Sequence, residues 1–165
     1  MTPVTHRPDL HRIGESAFVE VLDTLLSLPA TVRDPTGLSP VSDALDQITG
    51  TVHLAGQRLS GSVHVQLPLS FVARAVQFLT GLDGTSKDAK AVLDDTAGEL
   101  ANMVAGRVAA RLAADGYPCS LGIPSVSRGA RLPSETQRGM DHGRADLICE
   151  GHVLSLAVQC RYAIA

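Results

Sequence analysis

An α+β fold, with long helices packed on a mainly antiparallel sheet, is what this sequence predicts, and three observations predict it. Apolar residues recur at helical spacing in two segments, one from Ser16 and one from about Asp88. Alternating stretches between Thr49 and Leu67, and again from Ala145 to Tyr162, read as strands. Helices and strands are partly segregated along the chain, which favours α+β over a parallel doubly wound sheet. A helix followed by paired strands occurs twice, from Ser16 and from Asp88, as a faint helix-strand-strand pseudo-repeat.

Taken in order, residues 1–12 hold two prolines, two histidines and no periodicity, so they read as a flexible N-terminal arm before a single domain over 13–165. Phe18, Val19, Leu22, Leu25 and Leu26 mark the first helix, which should end between Thr31 and Pro35. The run Pro35-Thr36-Gly37-Leu38-Ser39-Pro40 is a breaker-rich connection. Val52 and Leu54, then Val63, Val65 and Leu67, share faces on either side of Gly56 and predict a β-hairpin. Pro68 introduces a short helix stopped by Gly81. Beyond the polar turn 83–86, a long helix is expected from about Asp88 to Ala114, closed by Asp115-Gly116-Tyr117-Pro118. Residues 119–128 are strand-like, and 129–143, with three glycines, form an exposed loop that carries Asp141 and His142. Two last strands cover Ala145–Glu150 and His152–Tyr162, the second with a solvated face.

Composition removes several function classes. The 165 residues are 44% apolar and 19% charged, a globular mixture able to bury a core. A net charge of −3, with three Phe, two Tyr and no Trp, offers neither the basic footprint nor the stacking platforms of a nucleic-acid binder. No apolar run approaches the roughly 18 residues of a membrane span, and residues 1–10 lack the layout of a signal peptide. Cys119, Cys149 and Cys160 form no Cys-x-x-Cys pair, which argues against cysteine-bound zinc and for a reducing cytoplasm. Cys160 reads as a core thiol. His53 and His64 fall on different predicted strands with no third ligand, so they read as structural or surface residues.

The long helix carries the candidate chemistry. At about 100° per residue, Asp95, Glu99 and Asn102 lie within roughly 60° of one another. Leu93, Ala97, Leu100, Val104 and Val108 form an apolar stripe on the opposite side. Asn is a poor mid-helix residue. Gly98 and Gly106 flank the same face, each costing about 1 kcal/mol against Ala. Small residues there would clear room for another protein's surface, which makes this a docking face. A solvated helix face fits the periodicity too; these residues alone do not specify a reaction.

The arrangement Asp95-x3-Glu99-x2-Asn102-x21-Pro124 resembles the signature of the CheC/CheX/FliY chemotaxis phosphatases. The runs Gly98-Glu99-Leu100-Ala101-Asn102-Met103-Val104-Ala105-Gly106 and Gly122-Ile123-Pro124-Ser125-Val126-Ser127-Arg128-Gly129 are most similar to the CheX branch. That resemblance implies a CheC/CheX-like fold and hydrolysis of the aspartyl-phosphate of a CheY-like response regulator. Asn102 would orient the attacking water, and Glu99 would pair with the regulator's active-site Lys. Mg²⁺ is expected on the partner receiver domain, with no cofactor bound by this chain. Asp95 would support the helix or the interface, and Pro124 would shape the following strand. Arg107 departs from the small or amide residue common in CheX-like chains; it would pair with a partner carboxylate or lie solvated.

CheC-type chains carry the motif on two helices, and here the first helix reads Ser16-x3-Glu20-x2-Asp23. A carboxylate at Asp23 offers no donor and repels a phosphoryl group, so one working site is predicted. Glu20 and Asp23 would then be ordinary charges near a helix start. The resemblance also allows a homodimer paired through the sheet. The alternative reading is a non-catalytic receiver-binding or flagellar-switch-like module, because a fold does not dictate its function.

Overall fold

Asp9 starts the first helix by accepting a hydrogen bond from the Arg12 amide at 3.1 Å. In the computed structural model, residues 6–33, 46–81, 89–129, 131–133 and 137–163 are described. Helix α1 runs Leu10–Leu26 and ends at Ser27, which is left-handed at φ 51° and donates to the Asp23 carbonyl. It therefore begins before Ser16 and stops short of Thr31. Residues 10–12, expected in a loose arm because residues 1–12 hold two prolines and two histidines, belong to it, and Leu10 is only 3% exposed. The stripe Leu10, Ile13, Ala17, Phe18, Val21, Leu22 and Leu26 explains the longer helix, since it buries one continuous face. Glu20 and Asp23 thus sit in the second half of α1, not near its start.

A three-residue strand, β1 (Ala30–Val32), follows, which the sequence reading missed. The hairpin is β2 (Gln47–Ala55) and β3 (Leu59–Pro68), helix α2 spans Leu69–Thr80 and stops at left-handed Gly81, and helix α3 spans Lys90–Ala114. Short strands β4 (Ser120–Leu121) and β5 (Ser125–Arg128) lead to β6 (Asp141–Cys149) and β7 (His152–Tyr162). Asp141 and His142 accordingly lie in a strand, correcting their placement in a loop: the apolar pattern that begins at Ala145 understated a strand paired with β7 along its full length. The connection 35–40, the turn 83–86 and the expected start at Asp88 fall outside the described residues.

The strands form one antiparallel sheet in the order β1-β6-β7-β3-β2, with β4 and β5 both paired to the far side of β2. Helix α1 lies over β6 and β7, α3 over β2 and β3, and the two helices touch. Rows such as Val52–Val63–Val158 run across the strands beneath them. Burying such a row contributes about 1.5–3 kcal/mol per side chain, which holds helices and sheet as one core. Central placement also alters β7. Ala157 and Gln159, expected on a solvated face, are buried because β6 and β3 flank them.

Opposite the helices, the sheet face is polar. His64 is hydrogen-bonded to Ser62 Oγ at 2.8 Å through Nε2 and to Thr51 Oγ1 at 3.0 Å through Nδ1, one ring nitrogen donating and the other accepting. Burial, then the charges of His53 and His142, push its imidazole down from 6.5 to about 4. Between those values the unfolded chain binds the proton and the folded chain does not. Stability is therefore complete above pH 6.5 and declines as pH falls toward 4. Thermal midpoints measured across that window should fall less steeply for His64→Gln than for wild type; parallel slopes would contradict this assignment.

Candidate functional site

Helix α3 is positioned by small residues. Gly50 of β2 lies under it, where a Cβ would stand 2.5 Å from Ala101 Cβ and 3.0 Å from the Ala97 carbonyl oxygen. On another side, a Cβ at Gly98 would be 3.3 Å from Val126 Cγ2 and 3.8 Å from Pro124 Cβ, while one at Gly106 would be 3.9 Å from Leu121 Cδ1. Residues 121–128 thus form a strap running antiparallel to α3. It is clipped at its far end by Arg128, whose Nη2 donates to Asp94 Oδ1 at 2.9 Å. The buried set widens accordingly to include Gly98, Ala101 and Ala105 beyond the predicted stripe.

This corrects the role expected for Gly98. It is buried under the chain's own strap and does not clear space for a partner. Gly106 is half-buried beside Leu121. Between the strap and solvent remains a narrow strip carrying exposed Asp95, exposed Glu99 and half-buried Asn102. Among the described residues, none of these three has a side-chain hydrogen bond or ion pair with another part of the chain. An acid and an amide one turn apart are therefore free to meet an outside ligand.

Arg107 is also corrected. Its Nε lies 3.3 Å from Glu20 Oε1, and Arg111 Nη2 donates to Glu20 Oε2 at 2.6 Å. One α1 carboxylate is held by two α3 guanidiniums, so Arg107 is not simply solvated: a carboxylate of its own chain already engages its Nε. The hydrogen bond from Arg111, and then the nearby positive charges, lower the Glu20 pKa. The acid of the degenerate first copy thus acts as a tie between helices. Replacing it as Glu20→Gln should lower the thermal midpoint modestly at low salt, with the gap to wild type narrowing at high salt. A salt-independent gap would point to packing instead of charge.

Sequence reasoning missed Asp94 and Arg128. Their separation in the chain gives no periodic signal, although Arg128 sits within the run similar to CheX. Among the described residues no group of three or more His, Cys, Asp or Glu could hold a metal ion, and no helix is long and apolar enough to cross a membrane.

The family profile described as "Chemotaxis phosphatase CheX" matches residues 48–144, more than half of the chain, including the strip, the strap and all of the underlying hairpin but Gln47. The chain belongs to the CheX family. Solved structures with the same fold include the CheX protein of Vibrio vulnificus, at TM-score 0.77 and 17% identity, with 95% of this chain and 99% of that one covered. The CheX–CheY–BeF3–Mg²⁺ complex of Borrelia burgdorferi aligns at TM-score 0.72 and 19% identity, covering 94% and 99%. A CheC-like protein of Shewanella oneidensis aligns at TM-score 0.69 and 20% identity, covering 91% and 96%. No curated protein matches this CheX-family chain significantly by sequence.

Proposed function

We propose that this chain hydrolyses the aspartyl-phosphate of a CheY-type receiver domain, with Asn102 and Glu99 as its working pair. Membership in a phosphatase family supplies the reaction class. The observation that carries the assignment to these two residues is the unengaged acid–amide strip on a helix braced from both sides.

Hydrolysis joins a water oxygen to phosphorus and breaks the bond from phosphorus to the aspartyl oxygen, leaving free carboxylate and inorganic phosphate. An acyl phosphate is already labile, so the catalyst's main task is to place that water in line. The Asn102 amide both accepts from and donates to the water while remaining uncharged, and so does not repel the phosphoryl oxygens. Glu99, exposed one turn away, pairs with the receiver's active-site Lys and sets the register of the two surfaces. Mg²⁺ belongs to the receiver, where it neutralises phosphoryl charge. Asp95 and Gly106 extend the strip at its two ends. Asp23, in place of an amide on α1, leaves that helix without a second centre, and Glu20 beside it is already taken by Arg107 and Arg111.

The test follows phosphate release from a panel of CheY-type receivers charged with acetyl phosphate. Accelerated loss with at least one receiver is the expected result. Tight binding without acceleration would replace this reading with that of a receiver-docking module.

A further inference from the structure

The strap beside the site contains an extra residue. Leu121 pairs with Leu54 and Ser125 with Thr51, so three residues, Gly122, Ile123 and Pro124, face only Val52 and His53. That mismatch is a β-bulge, a device that re-aims a side chain or interrupts pairing. Pro124, lacking an N–H, is tolerated there because the ladder is already open. Leu121 faces α3, and regular alternation would turn Ile123 the same way, into the core. Instead Ile123 is 90% exposed, the most exposed large apolar residue among those described.

Its position is equally specific. Leu121 lies beside Gly106 and Pro124 beside Gly98, so the segment that carries Ile123 runs along the stretch of α3, between those glycines, that holds Glu99 and Asn102. Leu121, itself 37% exposed, adds a second apolar surface. The adjacent face of α3 carries the charged and polar groups Asp95, Glu99 and Asn102. An apolar centre beside polar groups is the pattern of a protein-docking surface. We infer that Ile123 is an apolar anchor which the bulge presents to the receiver domain beside its phosphorylated aspartate, so that receiver affinity depends on it. The inference rests on the reading of the strip as the receiver-facing site. Continuity argues for the occupant: a protein that brings an acyl phosphate to Asn102 docks on the α3 face beside which the exposed Ile123 segment runs.

Ile123→Ser, with Ile123→Leu as the conservative variant, tests this by two readouts. One is the KM and kcat of phosphate release from the phosphorylated receiver panel. The other is the Kd for the same receivers activated by beryllofluoride. Serine should raise both KM and Kd about tenfold, with the loss falling mainly on KM, and leucine should restore most of it. The thermal midpoint should not move, because the side chain is exposed. Unchanged KM and Kd in an active Ile123→Ser protein would overturn the anchor and leave the phosphatase reading standing. Receiver binding that weakens in Ile123→Ser, when the wild type itself binds but never hydrolyses, would keep the anchor and remove the phosphatase. A shifted midpoint, equal loss with leucine, or no binding to any receiver would overturn the anchor.

Discussion

Asn102→Ala should slow receiver dephosphorylation by about a hundredfold while making the protein slightly more stable. The loss follows from the amide's task, because a water no longer held in line reaches the attack geometry only by chance. The gain follows from helix propensity. Alanine is favoured over asparagine inside a helix by about 0.5 kcal/mol, or roughly 1–2 °C in the thermal midpoint for a chain of this size. Opposite signs separate a catalytic role from a structural one, since a residue kept for folding would lose stability and activity together. Asn102→Asp sharpens the comparison: it recreates on α3 the carboxylate that Asp23 presents on α1. It should be as inactive as the alanine variant, because it offers no donor and repels the phosphoryl oxygens. Stopped reactions with one phosphorylated receiver, together with a thermal melt, measure both effects. Wild-type rates in either variant would remove Asn102 from the mechanism.

Gly50→Ala should have the largest effect on stability of any single methyl addition near the site. The new methyl would sit 2.5 Å from Ala101 Cβ and 3.0 Å from the Ala97 carbonyl oxygen, and neither neighbour is the movable end of a long side chain. Helix α3 must therefore lift from β2 or the strand must bend. Overpacking of this kind costs about 1–3 kcal/mol, while alanine's smaller unfolded-state entropy returns about 0.4–1 kcal/mol. A net loss of about 1–2 kcal/mol corresponds to roughly 2–8 °C in the thermal midpoint. Lifting α3 also moves the strip relative to the strap, so phosphate release should slow in the protein that remains folded. A variant as stable and as fast as wild type would show that the close approach of α3 to β2 is not needed.

The parts of the fold that the sequence predicted best are those set by local physics. The bounds of the hairpin follow from alternation around Gly56, α2 from Pro68 and Gly81, and the end of α3 from Asp115-Gly116. Errors arose where tertiary contact outweighed local pattern. Helix α1 extends back through His11 and Arg12 because Leu10 has a core to enter. Strand β6 extends back to Asp141 because β7 offers it a partner along its full length. Strand β1 exists only as an addition to β6, and three residues carry no signal of their own. Among candidate site residues, the strip of Asp95, Glu99 and Asn102 was legible from periodicity, since it depends on a single helix. The contacts of Gly98 and Arg107 were not legible because what each touches, Val126 for one and Glu20 for the other, lies far away in the chain.

By itself, then, the sequence determined the helix that carries the acid–amide pair, the outward direction of that pair and the lack of a second amide on α1. All three are properties of one helix at a time, set by residue type and a fixed angular step. Only the tertiary structure decided what braces that helix and what stands beside it: Gly50 beneath, the Arg128–Asp94 clip at one end, the Glu20 tie, and the bulge that turns Ile123 outward. Those depend on pairing register and on contacts between distant residues, which no periodicity within one segment encodes.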